Sequence, residues 1–245
     1  MIISKILKVV LLLLGGVFVA LQTQGYGLEG AALMTVLLFL CTVLYIKNTD
    51  KKSNLFLGFL ITYTLAQFFT FLIFYFYDEP LGQFDYYYLI ANFLYISAYT
   101  ILIIRILAKI NLKKVISSFI IPVIILIVLD VFCVYMVSST ANYPFNSHEF
   151  VIETLYNVVL MTLLSIAMLN YMYRNDKKSI LFLLASIFVV FSEIIQIAYY
   201  YILDVNQLGF TYSLFLVAAL FFFYIQSQLK FSGPVSVYTD DVTEV

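Results

Sequence analysis

The 245-residue sequence has no tryptophan, one histidine, two cysteines and four prolines, and only 11% of its residues are charged. Each scarcity excludes a class. Two cysteines cannot staple a secreted disulfide module, and Cys41 and Cys133 stand in apolar runs without metal-ligand or redox spacing, where they read as small buried hydrophobes. His148 has no Cys or second His near it and reads as a solvated loop residue, not a ligand. A net charge of −1 and a pI near 5.8 leave no basic surface for nucleic acid. The expectation is no metal, no cofactor and no nucleic-acid partner.

What is present in excess is apolar. Hydrophobic residues make up 64% of the chain, against roughly 45–50% in a soluble domain, and mean hydropathy is +1.02. Runs of about 20 apolar residues recur along the whole length, long enough to cross a bilayer as helices. They lie near Ile6–Leu21, Gly30–Ile46, Asn54–Tyr77, Tyr86–Leu107, Val115–Val137, Glu149–Tyr173, Ser179–Leu203 and Thr211–Leu229. Barrel strands would be short and alternating, which these runs are not. The fold class is all-α, a polytopic transmembrane bundle of eight spans, with one transmembrane domain over 1–230 and a short polar tail over 231–245.

Charge fixes the orientation. All 13 Lys and Arg fall in five places: Lys5 and Lys8; Lys47, Lys51 and Lys52; Arg105, Lys109, Lys113 and Lys114; Arg174, Lys177 and Lys178; and Lys230. These are the two ends and every second loop. The other loops carry Glu29, Asp78, Glu79, Asp85, Glu149 and Asp204 and no basic residue, so both termini belong in the cytoplasm. No A-x-A site follows Leu21, so the first run reads as a span and not as a cleaved signal. With 21 Tyr and no Trp, tyrosine must serve as the interfacial anchor, and Tyr86–Tyr88 and Tyr199–Tyr201 are placed for that belt. Pro122 should kink the fifth span. The tail, with Gly-Pro and three acidic residues, reads as disordered.

Ionisable groups inside hydrocarbon cost several kcal/mol by most scales and so face the bundle interior. Asp130 and Glu193 qualify, about 15 and 14 residues into two outward-running spans, which sets them at nearly one depth in the outer half. Gln67, Asn92, Glu153 and Asn157 fall at similar or shallower levels. Glu193 and Gln196 are three apart, Glu153 and Asn157 four apart, and Tyr88, Asn92, Tyr95 and Tyr99 follow one helical stripe. Two carboxyls in one low-dielectric site cannot both ionise easily, which leaves an acid beside a base, the equipment of general acid–base hydrolysis. Taken singly, Gln67, Asn92, Asn157, Ser97, Ser165 and Ser186 read as interhelical bonding groups ahead of any functional role.

The segments LFLGFLITYTLAQ (Leu55–Gln67), ANFLYISAYTILI (Ala91–Ile103), LLASIFVVFSEIIQIAYYY (Leu183–Tyr201) and YSLFLVAALFFFYIQ (Tyr212–Gln226) occur in that order within eight spans. Over Asn54–Leu229 the chain resembles the bacterial YhhN-like lysoplasmalogenase family. The family's Gly-Asp at the end of the third-span segment is Ala66-Gln67 here, its frequent Ser-Asp in the seventh span is Ser192-Glu193, and a frequent His is Asn92. The resemblance implies a hydrolase of the bacterial inner membrane that cleaves the vinyl-ether bond of a lysolipid. Joined to the polar layer, that reading takes Asp130 and Glu193 as the catalytic pair, Asp130 standing in for the absent Gly-Asp carboxylate, and Gln67, Asn92, Glu153, Asn157, Ser192 and Gln196 as the substrate contacts, with a membrane lipid as partner. Two other readings stand beside it. One is a non-catalytic membrane module, or envelope-complex subunit, that contacts other membrane proteins helix to helix; the other is a proton- or cation-coupled transporter.

Overall fold

A computed structural model describes residues 2–49, 52–76, 86–140, 147–203 and 205–230. Within them lie nine helices and no strand: α1 Ile2–Thr23, α2 Gly27–Asn48, α3 Asn54–Tyr75, α4 Tyr86–Leu107, α5 Leu112–Ser118, α6 Ile120–Thr140, α7 Ser147–Arg174, α8 Lys177–Tyr201 and α9 Asn206–Gln228. All but α5 are long and apolar enough to span a membrane, eight in total. The expected tail lies outside the described residues, and His148 is helical in α7, although its side chain is not described.

The spans coincide with the apolar runs within a few residues, except for the fifth. There the chain divides into α5 and α6, with a break at Phe119 (φ −126°) ahead of Pro122. Proline cannot donate to the carbonyl four residues back, and its ring collides with that carbonyl. That residue is Ser118, the last of α5. Restarting the helix at Ile120 puts Pro122 in a first turn, where its missing N–H is no loss. The kink expected at Pro122 is therefore a full interruption upstream of it.

Caps set the inner turns. Ser53 accepts the Phe56 N–H at 3.4 Å and gives its own N–H to the Tyr45 hydroxyl at 2.8 Å. Between α7 and α8, Asn175 takes a left-handed conformation (φ 48°), which asparagine tolerates better than most residues. Asp176 then caps α8 by accepting the Ser179 N–H at 2.7 Å.

Packing follows a closed circuit. α1 lies on α2, α2 on α3, α3 on α4, α4 on α7, α7 on α8, α8 on α9, and α9 returns to α1. Seven spanning helices thus form a ring. α6 stands outside it against α7, with none of its spanning residues buried. Large apolar side chains such as Leu13, Phe39, Ile121 and Val131 are more than half exposed around the outside. Soluble monomers rarely tolerate so much exposed apolar surface, whereas lipid requires it.

Aromatic rings fill the inner half of the ring. Phe59 meets Phe223 at 5.4 Å between centroids, Phe223 meets Phe182 at 5.4 Å, and Tyr63 lies on Phe59 at 5.5 Å. Above that floor the ring is hollow.

Candidate functional site

The hollow has a volume of about 630 Å³ and is lined by residues from all seven ring helices. Its size suits a small molecule or a lipid headgroup with the start of its chain. Phe74, Tyr88 and Tyr200, at the outer ends of α3, α4 and α8, line it, so it reaches the face opposite the lysine-rich end.

Glu193 of α8 stands in this wall, with part of its surface open to the cavity. It accepts a hydrogen bond from the Tyr99 hydroxyl at 3.3 Å, and the Tyr156 hydroxyl approaches it as well. The rings of Tyr99 and Tyr156 meet edge to face at 5.9 Å, and Tyr63 stands 5.8 Å from Tyr99. Such edge-on contacts fix ring orientation, so the hydroxyls are aimed by packing. Glu153 of α7 lines the same cavity nearer its mouth and accepts from the Tyr88 hydroxyl at 3.0 Å. The two carboxyls are close enough for their charges to interact. Among the described lining residues there is no lysine or arginine.

Other sequence candidates divide. Gln67 and Gln196 line the cavity, and Gln67 accepts from the Tyr95 hydroxyl at 2.6 Å. Asn92 also lines it, but its amide donates to the Tyr88 carbonyl of its own helix at 3.0 Å. Ser192 faces α9 instead, donating to the Tyr212 carbonyl at 2.7 Å with no exposed surface. Asn157 is buried outside the cavity wall, and its amide nitrogen makes no hydrogen bond.

Asp130 is the principal correction. It does not line the cavity and is not paired with Glu193; both carboxyl oxygens lie 2.8 Å from the Ser165 hydroxyl, in the seam between α6 and α7. Depth along the helices placed Asp130 and Glu193 at one level, but α7 and its neighbours close the ring between α6 and the hollow. The acid that shares the hollow with Glu193 is Glu153, on the adjacent helix. In line with a structural role, Asp130→Ala is expected to lower stability by about 0.6–1.7 kcal/mol and leave ligand binding in the cavity unchanged. Thermal unfolding in detergent beside a lipid-binding titration measures both.

The tyrosine belt also needs correcting. Tyr86 is 69% exposed, as an anchor should be, but Tyr88 and Tyr200 line the cavity and Tyr199 is buried. Tyr63, Tyr156, Gln22 and Tyr212 went unnoticed in the sequence although all line the cavity. Two of them carried a signal: Tyr156 follows Glu153 by three residues and Tyr63 precedes Gln67 by four, so each shares a helix face with a recognised polar residue. Gln22 and Tyr212 carried none, because their contact joins opposite ends of the chain. The Tyr212 hydroxyl donates to Gln22 Oε1 at 2.6 Å.

Fold and site together define a multi-pass integral membrane protein with a two-carboxylate, tyrosine-walled cavity in one half of its thickness. Among the described residues no three His, Cys, Asp or Glu side chains come together as a metal site would require. No family model, curated protein or solved structure matches the chain.

Proposed function

We propose that the protein is a bacterial plasma-membrane hydrolase of the lysoplasmalogenase type, taking a single-chain lipid with an ammonium-bearing phospho-headgroup into the outer cavity, the ammonium towards the carboxylates. One observation carries the reading: Glu153 and Glu193, from adjacent helices, face one tyrosine-walled hollow whose described lining holds no basic residue. Carboxylates attract an ammonium group by charge, and tyrosine faces attract it through the ring quadrupole. A phosphate-only or carboxylate ligand would find no counter-charge there.

The depths suit a lipid lying in the outer leaflet. Glu193 is eight residues from the outer end of α8, about 12 Å down, and Glu153 six residues from that of α7, about 9 Å down. The headgroup sits by Glu153 and the tyrosines of the mouth, and the vinyl ether reaches Glu193. Protonated Glu193 delivers its proton to the outer alkenyl carbon, leaving an oxocarbenium ion. Water adds to that cation and loses a proton to a carboxylate. The resulting hemiacetal breaks its bond to the glycerol oxygen as its hydroxyl proton is passed to that oxygen, which releases an aldehyde and a glycerophospho-headgroup.

Purified protein given a vinyl-ether lysolipid is expected to release aldehyde, and to release no fatty acid from the ester analogue. A second reading, binding without hydrolysis, draws on the tyrosine hydroxyls that already hold Glu193. Saturable lipid binding with no aldehyde would select that reading, and absence of both would remove the two together.

A further inference from the structure

At the opposite end of the ring is a second polar cluster that the proposed chemistry does not use. The sequence assigns Arg105, Arg174 and Lys178 to the cytoplasmic boundary as orientation charges, yet they are only 5%, 4% and 8% exposed. Arg105 lies over the Phe56 ring, 4.8 Å from its centroid. Its Nη2 donates to Gln226 Oε1 at 3.4 Å, a long contact, and its Nε–H has no partner. Gln226 is 1% exposed, and its own amide nitrogen is also without a partner.

Both orphaned donors belong to residues that line one small cavity with Asn170, Lys178 and Phe182. No carboxylate among the described residues bonds Arg105. Asp176, the acid of the neighbouring turn, caps α8, and its charge bears on Lys178 and Arg174; the charges of Arg105, Lys109 and Arg174 also bear on Lys178, so one carboxylate stands among four cations. A buried cation without counter-charge is strongly destabilising, and each buried N–H without an acceptor adds to that cost. Water in the cavity would accept the hydrogen bonds but bring no negative charge. The space is about 10 Å³, room for about one water-sized occupant. A phosphate, with four oxygens, does not fit.

We propose that this cavity binds a chloride-sized anion, held by the Arg105 Nε–H, the Gln226 amide and the positive potential of Lys178. The anion serves as a structural counter-ion joining the inner ends of α4, α8 and α9.

The test is the melting temperature of the purified protein in detergent, titrated with chloride at constant ionic strength against gluconate, which is too large to enter. Wild type is expected to gain about 3–6 °C at roughly ten times the dissociation constant and to rise further with the logarithm of chloride concentration. Gln226→Glu supplies the negative charge from the protein itself. That variant should melt in gluconate as high as wild type does in chloride, and lose its chloride response. Arg105→Gln, where it folds, should lose the response as well. Equal melting of wild type in chloride and gluconate would overturn the proposal, as would a chloride response surviving in Gln226→Glu. Stabilisation by phosphate in preference to chloride would also overturn it, pointing to an oxyanion instead.

Discussion

Replacing Glu193 by glutamine is expected to lower aldehyde release from a vinyl-ether lysolipid by about 10²–10⁴-fold, the usual contribution of a positioned general acid. The substitution isolates the proton. Glutamine has nearly the same shape, and its carbonyl oxygen still accepts from the Tyr99 hydroxyl that holds the carboxyl at 3.3 Å. The cavity should therefore keep its form while losing the group that protonates the alkene. Glu153→Gln should weaken affinity for an ammonium-bearing headgroup more than it slows turnover, since that carboxylate sits nearer the mouth. Asp130→Asn, outside the ring, should leave turnover unchanged. Aldehyde assays at several lipid concentrations separate the three, and full activity in Glu193→Gln would end the hydrolytic assignment.

Gly209→Ala is expected to be the costliest small substitution in the ring, destabilising it by about 1–3 kcal/mol. A Cβ at this position would stand 2.7 Å from the backbone carbonyl oxygen of Gln22, and neither backbone can yield without moving a helix. The close approach of α9 to the end of α1 is what allows the Tyr212 hydroxyl to reach Gln22. Gln22 also packs over Gly30, where an added Cβ would fall 2.2 Å from its amide nitrogen. Gly209→Ala should thus lower the melting temperature and disturb the cavity wall at once. Gly58→Ala, with open space around it, should do neither. Melting curves of the two variants side by side decide the point; equal stability would mean that the α1–α9 seam is loose.

The spans were legible because crossing a bilayer depends on run length and local polarity, which any window of sequence contains. The break at Phe119 was only half visible. Pro122 announced a disturbance, but its effect falls on the carbonyl of Ser118, and the apolar pattern runs through both residues. The site was legible in its height and not in its membership. Counting residues from the membrane boundary gives depth, so Asp130 and Glu193 looked like neighbours, yet nothing local says which helices share a wall. Glu153 was recognised as polar and ranked below Asp130 because it lies shallower. The ring order makes it the nearer acid, since α7 packs on α8 and α6 does not enter the circuit. The buried cations of the inner end were hidden for a different reason. The rule that assigned them to the cytoplasm describes loops, and they sit in the last or first turns of helices, folded back under the bundle.

The closure of the ring by α9 against α1 bears on biogenesis. The bond between Gln22 and Tyr212 joins positions 190 residues apart, so α1 meets α2 early but waits for the synthesis of α9 before this seam can form. Until then the carboxyl-bearing faces of α7 and α8 have no complete enclosure. A chain stopped short of α9 would hold the other seven described spans and still present Glu193 to the acyl tails. That exposed acid is the kind of defect by which membrane quality-control proteases could tell an unfinished molecule from a finished one.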